Sequence, residues 1–328
     1  KIIPLSEFWI SYCIKKGSCL ISERALKASR SKKYLYEILQ NNNFDFPKIF
    51  QDETEAEKEI ENGKKIVIKP EGLHSGYGIE IIDKTKKSLL SKYIEEAKSI
   101  KNRTLRLMEI ENSSCLLTEC LEGVEYSADC FWYKNRNSIV RVCSKKIILI
   151  NDKPCTAVYE LLPRADDKIQ NALENWMKLL FDDDDISFAQ FDFIVTEGKR
   201  IVLIDFASRV GGGISDLLIE SVIESGNEHG INPYADAVRG KSENLCSSLK
   251  TGEKLFQFNY LPTVTGYITD DNYNLMEGSQ HIFKRKGDYV ISNPSSVGSR
   301  IATVVKKMSN TPSAELLDSL LVGKKNIG

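Results

Sequence analysis

The chain has 328 residues, 41% hydrophobic and 28% charged, a balance that is typical of a globular protein with one composite fold and argues against disorder. Its 45 lysines and arginines face 46 aspartates and glutamates, so the formal net charge is -1. This charge disfavours a nucleic-acid partner, because the broad attraction to phosphates is missing. No apolar run approaches the roughly 20 residues that span a bilayer, so we expect no membrane partner.

Eight cysteines are scattered along the chain without a Cys-x-x-Cys pair or a Cys/His cluster at metal-ligand spacing. In a chain of this length, such cysteines are typical of small buried residues in a reduced protein. The start, KIIPLSEFWISYC, lacks the features of a secretory signal peptide. We therefore expect a cytoplasmic protein.

The first third of the chain predicts a helix, a strand and a glycine-bearing loop. Residues 1–29 begin with a strand-like run, continue into a short helical stretch and are interpreted as the tail of something larger. From Ser31, an N-cap residue, SKKYLYEILQNNNFDFP predicts an amphipathic helix that stops before Pro47. KKIVIKP then predicts a buried strand ending at Pro70, followed by the loop EGLHSGYG.

The remainder alternates strands and helices without a regular βαβ period. SCLLTECLEGVEYSADCFWY predicts two strands around a turn at 122–123, and NSIVRVCSKKIILI continues the sheet. DDKIQNALENWMKLLF is an amphipathic helix, and SFAQFDFIV and KRIVLIDFA form a hairpin with its turn at 196–198. We expect helix over 214–239, a linker over 240–253 and a smaller lobe over 255–328 that closes with a helix near AELLDSLL. The predicted class is mixed α+β.

Common nucleotide and catalytic motifs are absent from the sequence. It contains no G-x-x-x-x-G-K-[ST], no G-x-G-x-x-G opening a helix, no nucleophile elbow and no His-rich zinc motif. A phosphate site would therefore be built in another way. Lys69 before the glycines of residues 72–78 suits phosphate, because glycines let backbone N–H groups approach and lysine supplies a point charge. A tight turn is the alternative for this loop.

Two carboxylates lie on the predicted hairpin. Asp192 in FDF and Asp205 in LIDF have apolar residues on both sides, and a buried carboxylate is costly unless it is paired or bound to a cation. Facing each other across the hairpin, they would suit magnesium that bridges phosphate oxygens. Two solvent-facing strand residues are the alternative. Arg209 follows, before three glycines, and its planar fork suits carboxylate or acyl-phosphate oxygens, with a surface ion pair as the alternative.

The order of these motifs resembles the ATP-grasp superfamily over roughly residues 30–240. The resemblance rests on the Ser31-Lys32 helix, on IVIKP with its glycine loop, on LLTECLEGVEYSAD, and on FDF with LIDFASRVGGG. It implies two α+β lobes that grip ATP, with a short remnant of an N-terminal α/β domain and a small C-terminal α/β lobe. The implied domains are 1–29, the tail of the N-terminal domain; 30–118, the small lobe with the glycine loop; 119–245, the large lobe with the metal site; and 246–328, an accessory lobe.

The resemblance also implies roles for particular residues. Lys32 and Lys69 would contact the ATP phosphates, with Lys33 as the alternative to Lys32, and Lys69 and Arg209 would be catalytic. Asp192 and Asp205 would bind Mg²⁺, or Mn²⁺ as an alternative, and Arg209 would hold the acyl phosphate or its carboxylate precursor. The nucleotide would further contact the mobile loop and the hinge between the lobes, through Gly72, His74, Ser75, Gly76, Gly78, Glu119, Cys120, Leu121 and Glu125.

Two departures from the family pattern affect these expectations. The usual last motif is similar to E-x-N-x-R, whereas Asp205 and Ala207 stand here for the Glu and Asn, which we interpret as a feature of the dipeptide-forming branch. Altered metal binding, or a water or another residue in place of the Asn, is the alternative. The usual preceding domain is represented only by IIPLSEF, so we expect either a truncated chain or a separate chain that supplies that lobe.

The resemblance implies an ATP-dependent ligase of the carboxylate–amine branch. It would activate a carboxylate as an acyl phosphate and join it to an amine, an amino acid or short peptide, with release of ADP and phosphate. The alternatives are an ATP-grasp enzyme with a non-amine acceptor and a catalytically altered ATP-binding regulatory protein. The expected partners are small carboxylate and amine substrates, with a homodimer or a separate N-terminal chain as a possible assembly.

Overall fold

This computed structural model describes residues 3, 9, 12, 16, 17, 20–72, 78–99, 114–163, 165–213, 217, 218, 220, 233–239, 254–292 and 300–328. The chain divides into two compact units. The first comprises Lys1–Val124, Cys130–Asn137 and Asn171–Val210, and the second comprises Glu125–Asp129, Ser138–Gln170 and Gly211–Gly328. The predicted strand at the start of the chain, most of the predicted helix over 214–239 and the predicted linker lie outside the described residues. The four-part domain division stays a prediction.

Helices and strands alternate along the described chain and confirm the mixed α+β class. The helices are α1 (Glu23–Arg30), α2 (Lys32–Asn41), α3 (Glu53–Glu61), α4 (Leu90–Ser99), α5 (Asp167–Leu180), α6 (Pro233–Val238) and α7 (Ala314–Asp318), with a 3₁₀ helix at Lys84–Leu89. The strands are β1 (Ile49–Phe50), β2 (Ile66–Pro70), β3 (Glu80–Ile82), β4 (Cys115–Glu119), β5 (Gly123–Tyr133), β6 (Arg136–Ile150), β7 (Lys153–Leu161), β8 (Ile186–Thr196), β9 (Ile201–Ala207), β10 (Lys254–Pro262), β11 (Gly266–Tyr267), β12 (Ser279–Ile282), β13 (Tyr289–Val290), β14 (Ala302–Met308) and β15 (Leu321–Val322).

The first unit contains a small antiparallel sheet in the order β1-β4-β2-β3. Helices α3 and α4 cover it, and apolar residues such as Ile60, Ile68 and Ile94 form its core. The predicted cap of α2 is confirmed, since the Ser31 side chain accepts a hydrogen bond from Tyr34 N. This cap fixes where α2 begins and therefore where Lys32 and Lys33 lie.

The β8–β9 hairpin of the first unit packs an aromatic face into its core. Phe191 and Phe206 are paired across the strands and their rings stack with centroids 5.3 Å apart. Trp176 of α5 is buried and packs against Phe191 and Phe193, as expected for the apolar face of an amphipathic helix. Because strand side chains alternate, burial of this face turns the neighbouring residues to the opposite face of the hairpin.

The second unit contains strands in the order β12-β14-β10-β7-β6, with β15 parallel to β10. One face of this sheet is apolar and includes Val158, Phe256, Phe258 and Val304. The predicted helix near AELLDSLL is α7, which ends at Asp318. Leu321 instead starts β15, because its backbone pairs with Leu261 of β10.

Candidate functional site

The polar face of the β8–β9 hairpin carries the two predicted metal ligands. Asp192 and Asp205 are direct register partners across the strands, as the sequence analysis expected. The next pair on the same face is Gln190 opposite Ala207. Side chains at paired positions of antiparallel strands lie close together, so the hairpin presents two carboxylates and one amide in a compact group.

Of the two adjacent lysines at the start of α2, Lys32 contacts the carboxylates of the hairpin. Its Nζ atom lies 3.1 Å from Asp205 Oδ1, and only 11% of its side chain is exposed. The same Asp205 oxygen accepts a hydrogen bond from Phe206 N at 3.0 Å. Lys33 is exposed, and its backbone N–H donates to Glu71 Oε1 at 2.8 Å. Lys32 therefore places a cation directly on one of the two carboxylates.

Lys69 reaches the hairpin through a tyrosine. The residue is buried at the end of β2, and its Nζ donates a hydrogen bond to Tyr36 Oη at 3.1 Å. Tyr36 Oη in turn donates to the backbone carbonyl of Ile204 at 2.8 Å, one residue before Asp205. Burial raises the pKa of the Tyr36 phenol well above its ordinary value, and the negative charges of Asp205 and Glu71 raise it further. The phenol is therefore protonated and able to donate to this carbonyl.

Arg209 is linked to the hairpin by Gln190. Arg209 Nη1 donates to Gln190 Oε1 and, at 2.8 Å, to the carbonyl of Val210. Gln190 Nε2 lies 3.4 and 3.3 Å from the two carboxylate oxygens of Asp192. Gln190 thus connects the guanidinium of Arg209 to the carboxylate of Asp192.

The predicted phosphate loop is only partly described. Gly72 and Gly78, at its two ends, have φ values of 72° and 73°, in the left-handed region that favours glycine. Residues 73–77, which include His74, Ser75 and Gly76, lie outside the described residues. The two glycine positions fix the turns by which the chain leaves β2 and enters β3.

The predicted hinge residues follow β4. Glu119 N donates to Lys48 O at 3.0 Å, Glu119 Oε1 accepts from Lys48 N at 2.9 Å, and Cys120 N donates to Lys65 O at 3.1 Å. Leu121 lies in the connection between β4 and β5, which belong to different sheets. The chain therefore leaves one sheet and enters another at residues 120–122.

Glu125, the predicted ribose contact, belongs to the second unit. Its Oε1 lies 2.8 Å from Lys145 Nζ, and the Lys145 side chain is 7% exposed. This ion pair fixes the carboxylate on one face of the strands of that unit.

Three residues of the site were missed by the sequence analysis: Tyr36, Glu71 and Gln190. Tyr36 lies one helical turn after Lys32, and Gln190 lies two residues before Asp192 on the same strand face. Helical and strand periodicity could have suggested that these two share a face with the predicted residues. Glu71 gave no such signal, because its role as acceptor for Lys33 N depends on the meeting of β2 and α2.

A buried polar cluster in the second unit was also missed. Asp129 and Arg141 are almost completely buried, and two guanidinium nitrogens lie 3.1 Å from the two carboxylate oxygens. Asp129 also accepts hydrogen bonds from Gly211 N, at 2.9 Å, and from Tyr234 Oη. Arg141 Nη1 donates to Ser127 O at 2.7 Å. The cluster holds the backbone of the glycine run that starts two residues after Arg209.

Comparison with known proteins identifies the domain. Residues 63–216 match the family model described as ATP-grasp domain. The chain contains an ATP-grasp domain. The match includes β2, both ends of the glycine loop and the β8–β9 hairpin, and it begins later than the resemblance from the sequence, which extended over roughly residues 30–240. A sequence search of curated proteins gave no match.

Solved ATP-grasp structures share the fold over most of the chain. L-amino acid ligase from Bacillus licheniformis superposes with a TM-score of 0.65 at 14% identity, covering 96% of this chain and 77% of that one. The biotin carboxylase domain of 2-oxoglutarate carboxylase from Hydrogenobacter thermophilus gives 0.60 at 15% identity, with coverage of 92% and 67%. Carboxyaminoimidazole ribonucleotide synthase from Aspergillus clavatus, complexed with ATP, gives 0.60 at 14% identity, with coverage of 94% and 78%. At these identities the likeness shows the fold.

Within the described ranges, no group of three or more His, Cys, Asp or Glu side chains could hold a metal ion. In the same part of the chain, no helix has the length and apolar character needed to cross a membrane. Five of the eight cysteines lie in the described residues, at 115, 120, 130, 143 and 155, and these five are free thiols.

Proposed function

We propose that this protein is an ATP-dependent ligase that activates a carboxylate as an acyl phosphate and joins it to an amine. The observation that carries the proposal is the grouping of Asp192, Asp205, Lys32, Lys69 and Arg209 around one hairpin of an ATP-grasp domain. Two acidic side chains and three cations in one partly buried group are suited to polyphosphate and a divalent ion. A surface ion pair, the alternative role for Arg209, would need only two of these five side chains.

The hairpin carboxylates fit a magnesium ion. Mg²⁺ is usually held by one or two carboxylates together with substrate phosphates, and Asp192 and Asp205 supply two carboxylates on one face. When bound, the ion would neutralise charge on the phosphate oxygens. Asp192 and Asp205 would hold it, and Mn²⁺ is the alternative ion with the same preference for oxygen ligands.

The proposed reaction has two steps. In the first, a substrate carboxylate oxygen attacks the γ-phosphorus of ATP, the bond to the β–γ bridging oxygen breaks, and ADP leaves. Lys32 and Lys69 bind phosphate oxygens and counter the charge of the transition state, as positioned cations do in phosphoryl transfer. In the second, the amine nitrogen attacks the acyl carbon, phosphate leaves, and the nitrogen loses a proton.

Arg209 and the glycine loop have separate roles in this scheme. The Arg209 guanidinium would bind the substrate carboxylate and then the acyl phosphate, because its planar fork matches two oxygens. The loop from Gly72 to Gly78, including His74, Ser75 and Gly76, would close over the phosphates and exclude water, which would otherwise hydrolyse the acyl phosphate. The backbone of Glu119, Cys120 and Leu121 would form hydrogen bonds with adenine, and Glu125 would bind the ribose hydroxyls.

An amino acid or short peptide is the proposed substrate class. The support is the similarity of 96% of this chain to the fold of an L-amino acid ligase. The biotin carboxylase neighbour superposes almost as well, so an acceptor other than an amine is the second candidate within the same chemistry. A cytoplasmic location and a homodimer remain parts of the proposal.

The function is tested by incubating the protein with ATP, Mg²⁺ and pools of amino acids and measuring ADP. We expect ADP release that depends on an amino acid and that falls by at least about a hundredfold in Asp205→Ala. The matched control is Glu197→Ala, an exposed carboxylate in the turn of the same hairpin, which should retain activity. Absence of ATP binding would refute the proposal, and ADP release that is equal in Asp205→Ala would refute the role of the hairpin.

A further inference from the structure

The hydroxyl group of Tyr36 lies between an ammonium group and a backbone carbonyl. The residue is fully buried on α2, and its ring stacks on Phe46 with centroids 5.9 Å apart. Its oxygen lies between the ammonium of Lys69, at 3.1 Å, and the carbonyl oxygen of Ile204, at 2.8 Å. The hydroxyl therefore bridges two strands of the first unit, β2 and β9, that belong to different sheets.

The direction of both hydrogen bonds follows from the groups involved. A carbonyl oxygen can only accept, so the single phenol proton points to Ile204. The ammonium can only donate, so it points to a lone pair of the phenol oxygen. The ammonium also lies 5.6 Å from the centroid of the Tyr36 ring, within the range of a cation–π contact. The tyrosine thus constrains the ammonium by two contacts.

The same helix sets the position of both phosphate lysines relative to β9. Lys32, in the first turn of α2, contacts Asp205. Tyr36, one turn later, donates a hydrogen bond to the carbonyl of Ile204 and accepts one from Lys69 Nζ. A shift of α2 against β9 would therefore move both cations relative to the proposed metal carboxylates.

We propose that Tyr36 is a positioning residue that holds the Lys69 ammonium in place for binding and transfer of the ATP phosphate. The proposal rests on the proposed function, because Lys69 is given its phosphate contact there. A flexible lysine side chain loses conformational entropy when it is held in one geometry. Because the buried phenol already holds the ammonium in the folded protein, less of this entropy is lost when the nucleotide binds.

The test is the dissociation constant of ATP in the presence of Mg²⁺, measured by calorimetry on the whole chain. Tyr36→Phe keeps the ring and its stack on Phe46 and removes only the hydroxyl. We expect this variant to bind ATP about tenfold more weakly, since hydrogen bonds to charged groups contribute that much. Tyr34→Phe is the matched control on the same helix, and its affinity should stay within about twofold of the parent.

A double-mutant cycle with Lys69→Met separates positioning from a general structural effect. If Tyr36 acts through Lys69, Tyr36→Phe weakens ATP binding by less than about twofold in the Lys69→Met background. A purely structural role would give the same tenfold loss in both backgrounds, and that additive result would overturn the proposal. Should Tyr36→Phe melt below the assay temperature, the same cycle is measured at a lower temperature at which all four proteins are folded.

The outcomes distinguish this proposal from the proposed function. If the parent protein does not bind ATP, both are refuted. If the parent binds ATP and Lys69→Met weakens binding while Tyr36→Phe leaves it within twofold, only the positioning role is refuted. Weaker binding by Tyr36→Phe that is lost in the Lys69→Met background supports both.

Discussion

At the scale of single residues, the contact between Lys32 and Asp205 joins two groups that are proposed to bind different parts of the same ligand. The Lys32 ammonium lies 3.1 Å from Asp205 Oδ1, where it neutralises a carboxylate that is proposed to hold a divalent cation. An ammonium and a metal ion compete for the same carboxylate oxygen. Nucleotide phosphates would relieve this competition, because they provide Lys32 with another anionic partner.

We expect Lys32→Met to bind Mn²⁺ more tightly than the parent when nucleotide is absent, by about threefold to tenfold. The reason is that the substitution removes a cation from the carboxylate while keeping most of the length of the side chain. Free Mn²⁺ is measured by electron paramagnetic resonance during a titration. Lys33→Met, in the exposed neighbour, is the control and should leave the affinity unchanged. An equal or lower affinity of Lys32→Met would show that the two cations do not compete.

At the scale of elements, the Gly211 backbone is held by side chains of β5 and β6. Asp129 accepts from Gly211 N and is itself paired with Arg141, so a charged pair and a backbone N–H form one buried network. A Cβ atom at Gly211 would lie 2.4 Å from Arg141 Nη2 and 2.8 Å from Asp129 Oδ1. Any side chain there would push the two charged groups apart.

Gly211→Ala is therefore expected to lower the free energy of unfolding by about 2–3 kcal/mol, through overpacking and disturbance of the buried pair. Urea unfolding followed by circular dichroism measures this change. Gly198→Ala is the matched control, because its nearest atom is Thr196 Oγ1 at 3.9 Å. If the two variants unfold at the same urea concentration, the network tolerates a side chain at Gly211 and the argument from close contact is wrong.

At the scale of the whole molecule, burial opposes the ionisation of several thiols and phenols and so links the free energy of unfolding to pH. Burial raises the pKa of the Cys143 thiol from its ordinary 9.0 to about 11, and burial raises that of Cys155 to about 12. Burial also raises the pKa of the Tyr36 and Tyr234 phenols well above 10.0. Above the ordinary pKa values, the unfolded chain loses these protons and the folded chain retains them.

We therefore expect the free energy of unfolding to be insensitive to these groups below about pH 8 and to fall as the pH rises from about 9 to 11. Each group contributes full stability below its unfolded pKa and loses it as the pH approaches its folded pKa. Urea unfolding at pH 8, 9, 10 and 11 measures the slope, which should be smaller in Cys155→Ala. A slope that is the same in Cys155→Ala and the parent would mean that this thiol is not protected from ionisation.

Much of the fold and of the site followed from the sequence, since periodicity and turn residues act locally. The Ser31 cap, the amphipathic α5 and the β8–β9 hairpin were predicted from neighbouring residues, whereas the direct pairing of Asp192 with Asp205 also depends on a bulge between Asp192 and Phe193. The order of motifs was sufficient to recognise the ATP-grasp domain. The roles of individual residues in nucleotide and metal binding stay predictions.

Contacts between distant segments were decided only by the tertiary structure. Tyr36 and Lys69 are 33 residues apart, and Asp129 and Gly211 are 82 apart, so no local pattern connects them. The sequence offered Tyr36 as an ordinary helix residue, and its hydroxyl gained two partners only when α2 packed between β2 and β9. Local residue preferences determine which elements form, whereas the burial of polar atoms, each of which needs a partner, determines which side chains meet.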